Sequence, residues 1–270
     1  MHPMLTIAVR AARKAGNLIA KHYETPDSVE ATQKGTNDFV TNVDREAEHM
    51  IIDVIRKSYP KHTIISEECG ELEGEDKDVQ WIIDPLDGTK EFISGSEEFT
   101  VNIALIEQGR VVFGVVSMPT SGRCYYGGAG LGAWRADGDA VVPISVRNSP
   151  PAGEAMTVVA SRRHSSPEQE RLLAGLSEHL GELKLVSVGS SLKFCLLAEG
   201  AADCYPRLAP TSQWDTAAAQ GVLEGAGGVV LQLDGEAFSY PARESLLNQS
   251  FLALPAQAPW REKLLDLAQR

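Results

Sequence analysis

The chain has 270 residues, 43% of them hydrophobic and 23% charged, the balance of an ordinary globular protein with enough length for a large core. Its formal net charge of −12 argues against non-specific attraction to nucleic acid or to an anionic membrane surface. An anionic substrate would need a local exception to that field, and a bound divalent cation supplies one. No apolar run approaches the ~20 residues that span a bilayer, so no transmembrane segment is expected.

Residues 1–22 thread Arg10, Arg13, Lys14 and Lys21 through an amphipathic pattern, unlike a secretory signal with its apolar centre, and a cytoplasmic protein is expected. Leu5, Ala8, Ala12, Ala15 and Ile19 recur at helical spacing and predict a first helix over 4–22. Residues 24–38 are polar and read as a mobile loop. A second helix begins near Asn42 and carries Val43, Ala47, Met50, Ile51, Val54 and Ile55 on one face as far as Pro60. Strands are expected over 62–66 and 79–84, separated by an acidic loop over 67–78. Residues 99–106 and 110–118 form a hairpin through Glu107-Gln108-Gly109, and 125–135 a further one.

The Pro- and Ser-rich stretch 143–153 marks a subdomain boundary, dividing the chain into an N-terminal half, residues 1–150, and a C-terminal half, residues 151–270. Beyond it the pattern alternates: strand 157–160, helix 167–180, strand 184–188, helix 191–199. Segments 202–206, 214–225 and 228–233 extend it, and a last helix covers 260–270. Such alternation predicts a layered α/β (α+β) fold. Cys69, Cys124, Cys195 and Cys204 form no CxxC pair and should be reduced thiols. Cys69 follows an acidic pair, so it reads either as an inert thiol or as one whose oxidation would impair whatever that pair binds.

The run Trp81-Ile82-Ile83-Asp84-Pro85-Leu86-Asp87-Gly88-Thr89 carries the most chemistry. Its β-branched residues predict a buried strand, and Pro85 is expected to stop the ladder directly after Asp84. Two carboxylates held three residues apart resist joint ionisation unless a cation lies between them. Hard oxygens without nearby His or Cys favour Mg²⁺ over zinc. Ser66-Glu67-Glu68 stands at another strand end, and Trp214-Asp215-Thr216-Ala217-Ala218 opens a helix. Taken singly, each also fits ordinary turn or helix-start chemistry. Three of them at strand ends and a helix start, where α/β proteins collect ligands, point to one site.

With these motifs the chain resembles the Mg²⁺-dependent, Li⁺-sensitive phosphatases of the inositol monophosphatase family. Their pattern is an acidic pair, Asp-Pro-x-Asp-Gly-Thr, and Trp-Asp-x-Ala-Ala followed by Gly-Gly, here Glu67-Glu68, residues 84–89, residues 214–218 and Gly227-Gly228. The runs 87–93, 98–106, 189–195 and Tyr205-Pro206-Arg207 are most similar to its CysQ-type 3′(2′),5′-bisphosphate nucleotidases. Relatives acting on inositol monophosphate usually carry Thr-Asn-Phe where this chain has Lys90-Glu91-Phe92.

The resemblance implies an αβαβα sandwich. It implies two or three Mg²⁺ ions, held by Glu67, Asp84, the Leu86 carbonyl, Asp87 and Asp215. Catalytic roles fall to Asp44 and Thr89, an activating pair for water, and to Glu68 of the acidic pair. Gly88 and Thr89 would present amides to the reacting phosphate, with Glu67, Leu86, Asp87 and Asp215 also at the substrate. Ser161, Arg162, His164, Ser190, Lys193 and Arg207 would line the nucleotide pocket, and Lys34 would be a lid lysine. The implied reaction is hydrolysis of 3′-phosphoadenosine 5′-phosphate to AMP, clearing a by-product of sulfate assimilation. Rival readings are an inositol-phosphate or sugar-bisphosphate phosphatase and a non-enzymatic metal or nucleotide sensor. The resemblance leaves open a monomer or a homodimer, and peripheral association with the cytoplasmic face of the inner membrane.

Overall fold

The computed structural model describes residues 2–35, 38–160, 166–241 and 245–269. In chain order the elements begin with α1 (Pro3–Glu24), β1 (Ala31–Gly35), β2 (Asp38–Thr41), α2 (Asn42–Ser58), β3 (His62–Ser66), β4 (Gly70–Leu72), β5 (Asp76–Asp87) and α3 (Thr89–Ile93). A meander follows: β6 (Thr100–Glu107), β7 (Arg110–Ser117), β8 (Cys124–Gly128), β9 (Gly132–Asp137) and β10 (Ala140–Pro143). The remainder is β11 (Met156–Ala160), α4 (Pro167–Leu180), β12 (Leu183–Ser187), α5 (Leu192–Ala198), β13 (Tyr205–Arg207), α6 (Ala217–Gly225), β14 (Gly228–Gln232), β15 (Phe251–Pro255) and α7 (Arg261–Ala268).

The layers are those of an αβαβα sandwich. Eight strands form one sheet in the order β10-β9-β8-β7-β6-β5-β3-β4. Strand alternation sends Ile64, Trp81, Ile83, Ile103 and Leu105 to one face, where α1 and α2 pack with Leu5, Ala8, Ala12, Ala15, Ile19, Ile51 and Ile55. Ile65, Ile82, Ala104 and Val116 point to the other face, against α5 and α6. The second sheet consists of the parallel pair β12-β11, joined through a Val158–Cys204 bridge to β13-β15-β14. Its outer face packs on α4 and α7 through Val158, Leu172, Leu176, Leu252, Leu254 and Leu264. The middle layer needs small residues: a Cβ on Gly114 of β7 would lie 1.7 Å from the Ala218 carbonyl oxygen of α6. The small residues of the Trp-Asp-x-Ala-Ala motif therefore seat α6 directly on the sheet, with Asp215 just ahead of it.

Several expectations are corrected. The segment read as a mobile loop contains the β1–β2 hairpin; all five β1 residues are exposed, so no alternation announced a strand. The ladder does not stop at Pro85. β5 continues to Asp87 through a bulge, with Asp84 opposite Asn102 and Asp87 opposite Thr100, so that one extra residue is accommodated on β5. The acidic stretch after β3 supplies β4 and the start of β5, and β15, rich in Leu and Ala, was not predicted. The 107–110 connection is a two-residue turn, Gln108 and Gly109 both having positive φ, as a type I′ hairpin requires.

Candidate functional site

The bulge in β5 is what gathers the carboxylates. It turns Asp84 and Asp87 to one side, where Asp215 arrives from the 3₁₀ turn before α6; one carboxylate oxygen from each lies within 4.8 Å of the others. Asp84 is 1% exposed and accepts a hydrogen bond from the Leu86 amide at 3.0 Å. Burial, then Glu67, Asp87 and Asp215, hold its carboxyl well above the usual carboxylate range. Glu67 is pushed up to about 8, chiefly by burial and against the pull of Lys34. Asp215 is pushed up to about 7 by burial and by Asp87, although the Ser212 amide, Arg207 and Lys193 favour its ionised form. Carboxyls this crowded are held neutral unless a cation is shared among them. All-oxygen donors without His or Cys fit a hard dication such as Mg²⁺.

These shifts fix a sign. The folded protein keeps protons on Glu67 and Asp215 that the unfolded chain releases from about pH 4 upward, so unfolding releases protons. Chelator-treated protein is therefore expected to lose stability as pH rises from about 4 to about 8. Melting curves at the two ends of that window test this, and added Mg²⁺ should raise the melting temperature more at the alkaline end. A melting temperature independent of pH would contradict the account.

Neighbouring polar residues aim the carboxylates. Asp87 Oδ2 accepts from the Ser191 amide at 2.7 Å, the Ser191 hydroxyl at 2.9 Å and Asn102 Nδ2 at 3.1 Å. Asn102 is itself buried on β6 and accepts from the Thr100 hydroxyl at 3.0 Å. Asp215 caps its own turn by accepting from the Ser212 amide at 2.6 Å. Asn248 and Tyr240 brace the same turn through the Thr216 hydroxyl, at 2.9 and 2.8 Å. Asn102 and Ser191 had no role in the sequence reading; the signal was polar residues inside an otherwise apolar strand and at a helix start. Asn102→Ala is expected to weaken Mg²⁺ binding by about 10- to 100-fold, the usual effect of losing a group that orients a metal ligand, as titration calorimetry would show.

Asp44 and Thr89 meet at the start of α2. Thr41 and Asp44 form a capping box at the start of α2, with Asp44 Oδ2 accepting from the Thr41 amide at 2.9 Å and hydroxyl at 2.5 Å. Thr89 Oγ1 lies 3.0 Å from Asp44 Oδ1 and 3.2 Å from the Leu86 carbonyl oxygen. Burial raises the Asp44 carboxyl while these hydrogen bonds oppose the rise. Gly88, at φ 98°, makes the left-handed turn into α3; a Cβ there would come 3.1 Å from the Glu98 carbonyl oxygen.

Glu68 pairs with Lys34, which also lies 3.7 Å from Glu67. Its side chain is turned to the hairpin and does not line the carboxylate cavity of ≈ 180 Å³, which is walled by Glu67, Asp84, Leu86, Asp87, Thr89 and Asp215. The Cys69 thiol beside it, though exposed, is pushed up to about 11 by partial desolvation and by Glu48, which disfavours a reactive thiolate.

A second cavity of ≈ 210 Å³ shares Asp87, Lys90, Glu91 and Asp215 with the first and extends to Ser190, Lys193, Tyr205 and Arg207. Lys193 is 8% exposed, donates to the Ser190 carbonyl at 2.8 Å and sits over the Tyr205 ring at 5.8 Å. Burial lowers its ammonium pKa. Arg207, also 8% exposed, donates to the carbonyls of Ala209 and Pro210. Neither cation has a carboxylate within ion-pair distance among the described residues. Ser190 adopts φ 49°, and its buried hydroxyl has no hydrogen-bond partner among the described residues. Ser161, Arg162 and His164 lie outside the described residues. Among the described residues no helix is long and apolar enough to cross a membrane.

Comparisons with known proteins place the chain in a family. The model of the inositol monophosphatase family matches residues 1–268. A CysQ 3′(2′),5′-bisphosphate nucleotidase of Salmonella typhimurium is 41% identical over 250 residues, 92% of this chain and 98% of that protein. Nus factor SuhB of Escherichia coli K12 is 65% identical over 133 residues, 49% of this chain and 50% of that protein, so the chain spans about half the length of that relative. Nus factor SuhB of Pasteurella multocida is 42% identical over 87% of both chains. The crystal structure of CysQ from Bacteroides thetaiotaomicron superimposes with a TM-score of 0.80 at 35% identity, over 95% of this chain and 98% of that one. The resemblance to CysQ-type members read in the sequence therefore has both a relative and a solved fold behind it, and the chain belongs to the inositol monophosphatase family.

Proposed function

We propose that this chain is a Mg²⁺-dependent phosphatase that hydrolyses 3′-phosphoadenosine 5′-phosphate to AMP and phosphate. The observation that carries the reading is the pair of buried cations, Lys193 and Arg207, on the wall of a cavity that shares Asp87 and Asp215 with the carboxylate cluster. A substrate with one phosphate at the carboxylate cluster and a second, non-reacting phosphate on Lys193 and Arg207 complements both halves. In this reading residues 1–150 supply Glu67, Asp84, Leu86 and Asp87 with the Asp44–Thr89 pair, and residues 151–270 supply Asp215 and the nucleotide pocket.

Glu67, Asp84, the Leu86 carbonyl, Asp87 and Asp215 would hold Mg²⁺, which when bound supplies Lewis acidity and neutralises phosphate charge. Thr89 Oγ1 takes a proton from the attacking water as its own proton moves to Asp44 Oδ1. The amides of Gly88 and Thr89 orient phosphate oxygens, and Ser190 adds a hydroxyl at the pocket wall. Ser161, Arg162 and His164 are assigned to the nucleotide on their motif alone. Clearance of a sulfate-assimilation by-product, Li⁺ sensitivity and a cytoplasmic location belong to this proposal.

The identity to relatives named Nus factor SuhB favours a second reading, in which this chain acts as such a factor. Phosphate release from 3′-phosphoadenosine 5′-phosphate, myo-inositol 1-phosphate and fructose 1,6-bisphosphate, with Mg²⁺ and with or without Li⁺, separates the readings. Preferential, Li⁺-inhibited release from the nucleotide supports the proposal. Faster turnover of the inositol phosphate would discard the pocket assignment, and no release from any of them would favour the second reading.

A further inference from the structure

The turn that carries Glu67 is held by a carboxylate outside the metal cluster. Glu48 lies one helical turn beyond Asp44 on α2, so both project from the same buried face. It is 3% exposed. Its Oε1 accepts from the Ser66 hydroxyl at 2.5 Å, the Glu68 amide at 3.1 Å and the Cys69 amide at 3.1 Å. No cation lies within ion-pair distance of Glu48 among the described residues, so those donors are what make its burial tolerable. They come from the end of β3 and the turn after it and leave Glu67 between them. Glu67 thus stands on a turn clamped from both sides to the helix that also holds Asp44.

We infer that Glu48 is a positioning residue that fixes Glu67 relative to the Asp44–Thr89 pair, α2 acting as a common rail for the two. This rests on the reading of the carboxylate cluster as a metal site and adds a requirement to it: metal affinity depends on a side chain that does not face the metal. Because a single oxygen receives all three hydrogen bonds, the requirement is for an acceptor at that point and not for a second negative charge near the cluster. Gln offers the same oxygen; Ala offers none.

Titration calorimetry of Mg²⁺ into the chelator-treated full chain tests the inference without reference to turnover. Glu48→Ala is expected to bind Mg²⁺ about 10- to 100-fold more weakly, and Glu48→Gln to stay within about threefold of the parent protein, as the retained acceptor requires. Should Glu48→Ala fail to fold, Ser66→Ala removes one of the three hydrogen bonds and is expected to weaken binding in the same direction. Parent-like Mg²⁺ affinity in Glu48→Ala, or in Ser66→Ala where that variant stands in for it, would overturn the inference. So would a Glu48→Gln variant as weak as Glu48→Ala, which would assign the effect to charge. Asp84→Asn in the same titration keeps the two levels apart. If it abolishes binding while Glu48→Ala does not weaken it, the positioning role alone fails; if Asp84→Asn binds normally, the metal-site reading fails and the inference with it.

Discussion

Replacing Asp84 by Asn is expected to lower Mg²⁺-dependent turnover by about 10³-fold, the scale on which removing one preorganised electrostatic group acts, and to raise the melting temperature of the chelator-treated protein. The two effects have one cause. Asp84 is fully enclosed, its Oδ1 is fixed by the Leu86 amide, and Glu67, Asp87 and Asp215 crowd its carboxylate. Without a cation its ionised form is unfavourable among these neighbours; a cation shared with them would make it favourable. Asn keeps the shape and the oxygen facing the Leu86 amide while removing the ionisable group, so packing is preserved and the cost of holding a buried carboxyl protonated disappears. The stabilisation that Mg²⁺ confers should shrink in the same variant. Phosphate-release kinetics and melting curves with and without Mg²⁺ measure all three. An Asp84→Asn protein that retains a tenth or more of the parent's turnover would contradict the role given to this residue.

The residues proposed to carry the chemistry and those that aim them differ in how plainly they stand in the sequence. Asp84, Asp87 and Asp215 were legible because charged residues that close an apolar run or stand ahead of a helix break the apolar pattern around them, although β5 continues past Asp84. Asp44 was legible through the family resemblance and the helix predicted to begin near Asn42. The groups that aim them were not. Glu48 reads as one polar residue on a helix that has many, and only packing shows that it faces inward. Asn102 sits among Val101, Ile103 and Ala104, where alternation predicts its face but not the Asp87 and Ser191 side chains that meet it from distant stretches of the chain.

The fold followed the same division. Helices with an apolar stripe, such as α1, α2 and α4, were placed within a few residues. The β1–β2 hairpin escaped because a solvated ribbon has no buried face to mark it, and so Lys34 was expected on a mobile loop. It stands instead on a strand that brings it to Glu67 and Glu68. The bulge at Asp84–Asp87 escaped for another reason: Pro85 does forbid a ladder hydrogen bond, but an extra residue on one strand lets pairing resume beyond it.

Thr89→Ala is expected to lower turnover by about 10³-fold, within the range ascribed to a positioned proton acceptor, with little change in Mg²⁺ affinity or stability. Thr89 contributes a hydroxyl, not a charge, and its side chain lies on the cavity wall with Oγ1 3.0 Å from Asp44 Oδ1. Its single proton is directed either to Asp44 or to the Leu86 carbonyl oxygen at 3.2 Å. When it goes to Asp44, the oxygen's lone pairs are available to a water in the cavity. Asp44 is a suitable terminus for that proton because burial already raises its carboxyl, while the Thr41 amide and hydroxyl fix its other oxygen. The Asp44→Asn variant is a less direct test, since an amide that keeps its oxygen on Thr41 turns its NH2 to Thr89 and sends the Thr89 proton to the Leu86 carbonyl, changing two groups at once. Thr89→Ser restores the hydroxyl without the methyl group and should recover turnover to within about tenfold of the parent, the methyl having only a packing role. A Thr89→Ala protein active within tenfold of the parent would exclude Thr89 as the group that receives the proton. A Thr89→Ser protein as poor as Thr89→Ala would make the methyl contact the essential one. The expected pattern, loss with Ala and recovery with Ser at unchanged Mg²⁺ affinity, assigns the step to the oxygen itself.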